Sequence, residues 1–101
     1  MFGLTEEARL YPCLGQVAGK PVYAPEGMVV RCRTEPVTRR GRGRWGEARE
    51  GDTRIFTEHR YIYPGDRVVT EDGEALIVRQ ARALRGFSRV HHMEVLAGRE
   101  D

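Results

Sequence analysis

The residues best equipped for chemistry in this 101-residue chain are His91-His92 with Glu94, Cys13, Cys32, His59 and Ser88. Metal binding is the first chemistry to weigh. On a strand, successive side chains alternate faces, so of the trio only His92 and Glu94 share one. Cys32 and His59 stand at no ligand spacing from them. The pattern therefore predicts one histidine turned inward and one outward, with no metal and no cofactor. Ser88 is the sole serine, and no nucleophile elbow surrounds it. Cys13 lies between Pro12 and Leu14, distant in sequence from any histidine. The carboxylate pairs Glu6-Glu7 and Glu71-Asp72 read as a helix start and a turn. No glycine-rich phosphate loop with its lysine is present. These observations argue against an enzyme.

A second chemistry is contact with an anionic surface. Residues 31–49 hold seven Arg against Glu35 and Glu47, while the whole chain carries a net charge of only +2. Arg39, Arg40, Arg42 and Arg44 alternate with Gly41 and Gly43, and Trp45 follows. Arginine suits phosphate, glycine lets backbone approach, and tryptophan can stack on a base. The same composition also suits a solvated or subunit-contacting hairpin tip. The 16 Arg beside Lys20 alone carry no functional weight, because nucleotide composition can produce the same bias.

These residues need elements to hold them. Residues 66–70 and 75–81 are short apolar runs flanking Asp72-Gly73, the pattern of a hairpin with a type I′ turn. Residues 28–37 alternate, with Val30, Cys32 and Thr34 on one face and Arg31, Arg33 and Glu35 on the other. Residues 45–50, 53–57 and 89–96 complete the candidate strands. Pro64-Gly65 predicts a tight turn that launches a strand, with Asp66 accepting bonds from nearby backbone donors. Thr5 is placed to cap a short helical turn over residues 5–10. Pro12, Gly15, Gly19, Pro21 and Pro25 make the next stretch an extended, turn-rich arm. Val22-Tyr23 is read there as a brief edge strand.

The expectation is an all-β fold: a small antiparallel β-barrel or sandwich with a long projecting hairpin and an extended N-terminal arm. The arm covers residues 1–26 and the barrel 27–97, with the hairpin at about 35–50 and a tail at 98–101. At this length one domain is expected. With 40% apolar and 32% charged residues, the chain reads as globular rather than disordered. No apolar run approaches the roughly 20 residues that span a bilayer. The start carries no basic region followed by a long apolar core, so a cytosolic protein with free cysteines and no membrane contact is expected.

The order of motifs resembles a family. Leu10-Tyr11-Pro12 is followed by Val30-Arg31-Cys32-Arg33, a projecting hairpin and Arg54-Ile55-Phe56. Then come Pro64-Gly65-Asp66-Arg67-Val68, Gly73-Glu74-Ala75-Leu76-Ile77-Val78 and Val90-His91-His92-Met93-Glu94-Val95. Over about residues 10–96 this resembles the small head–tail connector proteins of tailed bacteriophages and prophages, also called head-closure, stopper or minor capsid proteins. The resemblance implies a non-enzymatic virion protein, made in the bacterial host cytoplasm. It would form a homo-oligomeric ring at the neck, close the DNA-filled head and dock the tail. Its partners would be portal or adaptor proteins above and tail proteins below, with possible contact to packaged DNA. A monomer in solution is compatible with that role. Arg39, Arg40, Arg42, Arg44 and Trp45 would face the channel or a neighbouring subunit, and Leu10, Tyr11 and Pro12 would lie in a partner-contact arm. Two alternatives remain open: another neck or tail-completion protein, and a small nucleic-acid-binding β-barrel.

Overall fold

Inward-facing apolar residues spaced two apart on six strands drive the sheet to close on itself. The computed structural model describes residues 3–38, 51–85 and 91–99. Its strands are β1 (Glu6–Tyr11), β2 (Cys13–Val17), β3 (Lys20–Tyr23), β4 (Met28–Pro36), β5 (Thr53–Thr57), β6 (Arg67–Val69), β7 (Ala75–Arg85) and β8 (His91–Arg99). Six of them form a closed antiparallel barrel in the order β1-β4-β5-β8-β7-β6, and β2 and β3 form a separate two-stranded sheet. The all-β barrel expected from the sequence is therefore present. Among the described residues there is no helix.

Alternation fills the interior. Ala8 and Leu10 of β1 meet Val30 and Cys32 of β4, Ile55 of β5, Val68 of β6, Leu76 and Val78 of β7, and Val95 and Ala97 of β8. Ile62, from the loop after β5, joins the same core. Fully burying a side chain such as Leu10 stabilises the fold by about 2 kcal/mol.

β1 corrects two expectations. Residues 5–10 are not a helical turn, and the N-terminal stretch is not a free arm throughout. β1 pairs with β4 through Ala8↔Val30 and with β6 through Leu10↔Val68. It is the strand that closes the barrel. Of the rest of the expected arm, β2 and β3 form a ribbon through Gln16↔Pro21 and Val17↔Lys20. At the other terminus β8 runs on through Gly98 and Arg99, so these residues belong to the barrel rather than to a tail.

The type I′ turn expected at Asp72-Gly73 is not found there. Asp72-Gly73 does not form a type I′ turn, because only Gly73 has a positive φ there, at 91°. The Gly73 amide donates to the Thr70 carbonyl and the Thr70 amide to the Glu74 carbonyl, both at 2.9 Å. That is the longer hairpin loop in which glycine takes the left-handed position after the corner. The two-residue turn with both φ positive lies instead between β2 and β3, at Ala18 (51°) and Gly19 (79°).

β7 holds an irregularity that the sequence pattern hides. The register shifts between Val78 and Gln80, leaving Arg79 as an extra residue. Val78 faces Ala97, and after the shift Ala81 faces Val95. The bulge resets the alternation so that Leu76, Val78 and Ala81 all face inward despite their uneven spacing. It also releases Arg79 to reach Asp52 at 2.7 Å.

Candidate interaction surface

The strand directions divide the molecule into two ends. At one end the chain leaves β1, makes the β2–β3 ribbon and returns to β4. The Ala24 amide donates to the Pro12 carbonyl at 2.9 Å, closing the ribbon's base. The Asp66 carboxylate ties that base to the barrel: Oδ1 accepts the Cys13 amide and Oδ2 the Tyr63 amide, each at 2.9 Å. Asp66 is itself buried, so these bonds meet the demand of a carboxylate removed from water. The sequence reading of Asp66 as an acceptor for nearby backbone holds for Tyr63. It did not foresee Cys13, which is remote in sequence. Tyr23 lies with its ring 5.9 Å from the Arg67 guanidinium carbon.

Beyond this base the ribbon stands in water. Leu14 is 66% exposed and Val17 67%, and Val22 is also exposed. Gly15 pairs with Val22 and Val17 with Lys20, so Val17, Lys20 and Val22 lie on one face of the ribbon. Leu14 is the extra residue where the ladder shifts between Cys13 and Gly15. Nearby, Tyr61 and Tyr63 are exposed in the loop between β5 and β6.

The proposed contact arm is thereby relocated. Leu10 is fully buried in the barrel core and is not available to a partner. Tyr11 is half-buried, with its ring so close over Gly27 that a Cβ there would lie 2.6 Å from it. Pro12 is half-buried at the ribbon base. Within the described part of the expected arm, the exposed large apolar side chains are Leu14, Val17 and Val22. The sequence signal was available, since apolar residues in a Gly- and Pro-rich stretch with no room for a core must stay exposed. The resemblance alone places Leu10-Tyr11-Pro12 in a contact arm.

The opposite end is acidic. Glu6, Glu35, Glu71, Asp72 and Glu74 line one cleft with Thr34, Pro36, Thr53 and Thr70. Several of these carboxylates are engaged. Glu6 accepts the Thr34 amide at 3.0 Å and the Thr34 hydroxyl at 2.8 Å. Glu35 meets Arg33 at 2.7 Å and Arg54 at 3.7 Å, and Glu74 meets Arg99 at 3.5 Å. The Thr70 hydroxyl donates to Asp72, which holds that carboxyl below its usual range.

The Arg-rich segment is rooted at this acidic end. Pro36 pairs with Thr53, and the ladder continues as the Val37 amide donates to the Asp52 carbonyl at 2.7 Å. The chain thus leaves and rejoins the barrel at Val37 and Asp52. Arg39, Arg40, Arg42, Arg44 and Trp45, and the strand expected over residues 45–50, lie outside the described residues.

The His92–Glu94 face of β8 holds ion pairs. Glu94 is 0% exposed, yet it points away from the core face of β8. Its Oε2 lies 3.4 Å from Arg54 Nε, and its Oε1 3.2 Å from Arg82, the residue opposite it on β7. Two guanidiniums beside a buried carboxylate compensate the hydration it has lost. No cluster of three or more His, Cys, Asp or Glu suited to a metal occurs among the described residues. The cysteines are free: Cys13 is half-buried and Cys32 buried. Burial, with smaller contributions from Glu6 and Glu71, pushes the Cys32 thiol up to about 11.

The fold and surface define a closed six-stranded antiparallel barrel carrying an apolar ribbon at one end and an acidic cleft at the other. No protein-family model matches the chain, and no curated protein is similar to it.

Proposed function

We propose that the protein is a head–tail connector of a tailed bacteriophage, a ring component at the neck that closes the DNA-filled head and docks the tail. The observation that carries this reading is the β2–β3 ribbon. A closed barrel has no free strand edge with which to recruit a partner. A two-stranded ribbon is marginal alone in water. This one is held at its base by Asp66, while Leu14, Val17 and Val22 remain exposed. Such an element suits an assembly protein whose extensions complete their packing against neighbours. The order of motifs across residues 10–96, similar to that of the connector family, supplies the biological setting.

In this role the protein is non-enzymatic and resides in the virion after synthesis in the host cytoplasm. Portal or adaptor proteins lie on one side of the ring and tail proteins on the other. The Arg-rich segment, rooted where Pro36 meets Thr53, faces DNA or a neighbouring subunit. A rival nucleic-acid-binding barrel would carry exposed aromatics on a sheet face. Among the described residues the exposed aromatics are Tyr61 and Tyr63, both in a loop, which favours the connector reading. Removing the gene from the phage and restoring it in trans tests the proposal. Filled heads that lack tails and lose DNA, rescued by the restored gene, are expected. Normal tailed particles without the gene would overturn it.

A further inference from the structure

The outer surface of the barrel carries a groove that matches the ribbon. Arg9 of β1 stands between Val29 of β4 and Val69 of β6, directly paired with both. All three residues belong to the outward-facing row, since their neighbours Ala8, Leu10, Val30 and Val68 point into the core. Val29 is 49% exposed. Together with Glu7, Thr70 and Glu71, these residues line a cleft of about 240 Å³. Glu7 and Glu71 adjoin, with the Glu7 amide 3.4 Å from Glu71 Oε1. The groove therefore has Val29 and Val69 on its floor with Arg9 between them, and two carboxylates at its rim. Of these, Glu7 pairs with Arg31 across the strands.

The ribbon presents the complementary arrangement. Val17 and Val22 lie on one face with Lys20, the chain's sole lysine. We propose that the ribbon of one copy docks into the Val29–Val69 groove of the next copy, with Lys20 meeting Glu7 and Glu71. This inference rests on the assembly reading above and names the surfaces that join neighbouring subunits. Knob and socket are different surfaces of the same chain, so the contact is heterologous. Such a contact closes into a ring when the rotation between copies permits, and otherwise propagates. The occupant is a second copy because the chain itself supplies both the apolar match and the opposite charges. Arg9 is exposed between the two valines, so a docked ribbon would pack against its stem with the guanidinium left in water.

The test is sedimentation of the full-length protein over a concentration series reaching millimolar, for the wild type and for variants at exposed positions that leave the core intact. The wild type is expected to self-associate. Val17→Asp should weaken association by about tenfold or more, the scale of losing one central contact. Lys20→Glu should weaken it in a salt-dependent manner, and Lys20→Glu combined with Glu71→Lys should recover it. Circular dichroism of each variant confirms that the barrel persists. A wild type that stays monomeric throughout, an association indifferent to Val17→Asp, or a charge reversal that is not rescued by its partner would each overturn the proposal. The connector reading is judged separately, by the protein's place in phage particles, and survives if subunits join through another face.

Discussion

Arg79, the extra residue of the β7 bulge, reaches Asp52 at the base of the β4–β5 connection with a 2.7 Å ion pair. Asp52 is buried, and Gly98 of β8 lies directly against it. A Cβ at Gly98 would come within 3.0 Å of Asp52 Oδ1 and 3.3 Å of Arg79 Cδ. The bulge, the glycine and the ion pair form one device that fixes where the Arg-rich segment leaves the barrel. Asp52→Ala is expected to destabilise the protein by about 1–3 kcal/mol, because it removes a 2.7 Å ion pair from a half-buried guanidinium. Gly98→Ala should also destabilise it, by crowding the same pair. Thermal denaturation of both variants measures this.

Asp66 holds the ribbon to the barrel through the Cys13 and Tyr63 amides. Asp66→Ala should loosen the ribbon more than the barrel. Hydrogen exchange is expected to accelerate at the Cys13 and Tyr63 amides and across β2 and β3, with β4 and β8 much less affected. Uniform loss of protection would show that the ribbon and barrel melt as one unit.

Ala18 takes a left-handed backbone conformation at φ 51°, which costs a non-glycine residue about 1 kcal/mol. Ala18→Asn should stabilise the ribbon, since asparagine tolerates that conformation better. Ala18→Val should loosen it. Exchange protection of the Val17 and Lys20 amides is the readout.

The two cysteines should differ sharply in reactivity. Thiolate is the reactive form, and Cys32 is buried with its pKa raised from 9.0 to about 11. In the folded protein near neutral pH, a thiol reagent should modify Cys13 and spare Cys32. The raised pKa also links to stability. Between pH 9 and 11 the folded state retains the Cys32 proton that the unfolded chain releases. The associated stability is thus fully present below pH 9 and is lost as pH rises towards 11, on the order of 2 kcal/mol. Denaturant midpoints across that range should fall more steeply for the wild type than for Cys32→Ala.

Much of the barrel was legible because its strands obey a period of two. Val30 and Cys32, or Leu76 and Val78, announce their face directly. β1 was hidden because only Ala8 and Leu10 turn inward between Glu6 and Tyr11, too few to outweigh a capping pattern at Thr5. The ribbon was seen only as a brief edge strand at Val22-Tyr23. Neither of its faces is buried, so burial imposes no alternation, and its turn uses Ala18, which carries no turn signature. Of the interaction surface, the exposed apolar residues were present in the Gly- and Pro-rich stretch, but the pairing that aligns Val17, Lys20 and Val22 is a tertiary fact. The Glu94 ion pairs were likewise invisible, because Arg54 and Arg82 reach Glu94 from neighbouring strands.

The Arg-rich segment carries its own expectation. Replacing Arg39, Arg40, Arg42 and Arg44 together with serine should leave the barrel folded and cause packaged DNA to leak from filled heads. Retention equal to wild type would remove DNA contact from the account and leave subunit contact as the role of these residues.

The central claim is most directly tested by locating the protein in phage particles. Gold-labelled antibody to this chain, viewed by electron microscopy on purified particles, should mark the junction between head and tail. Its absence from particles, or label confined to the capsid shell or the tail tip, would contradict the account.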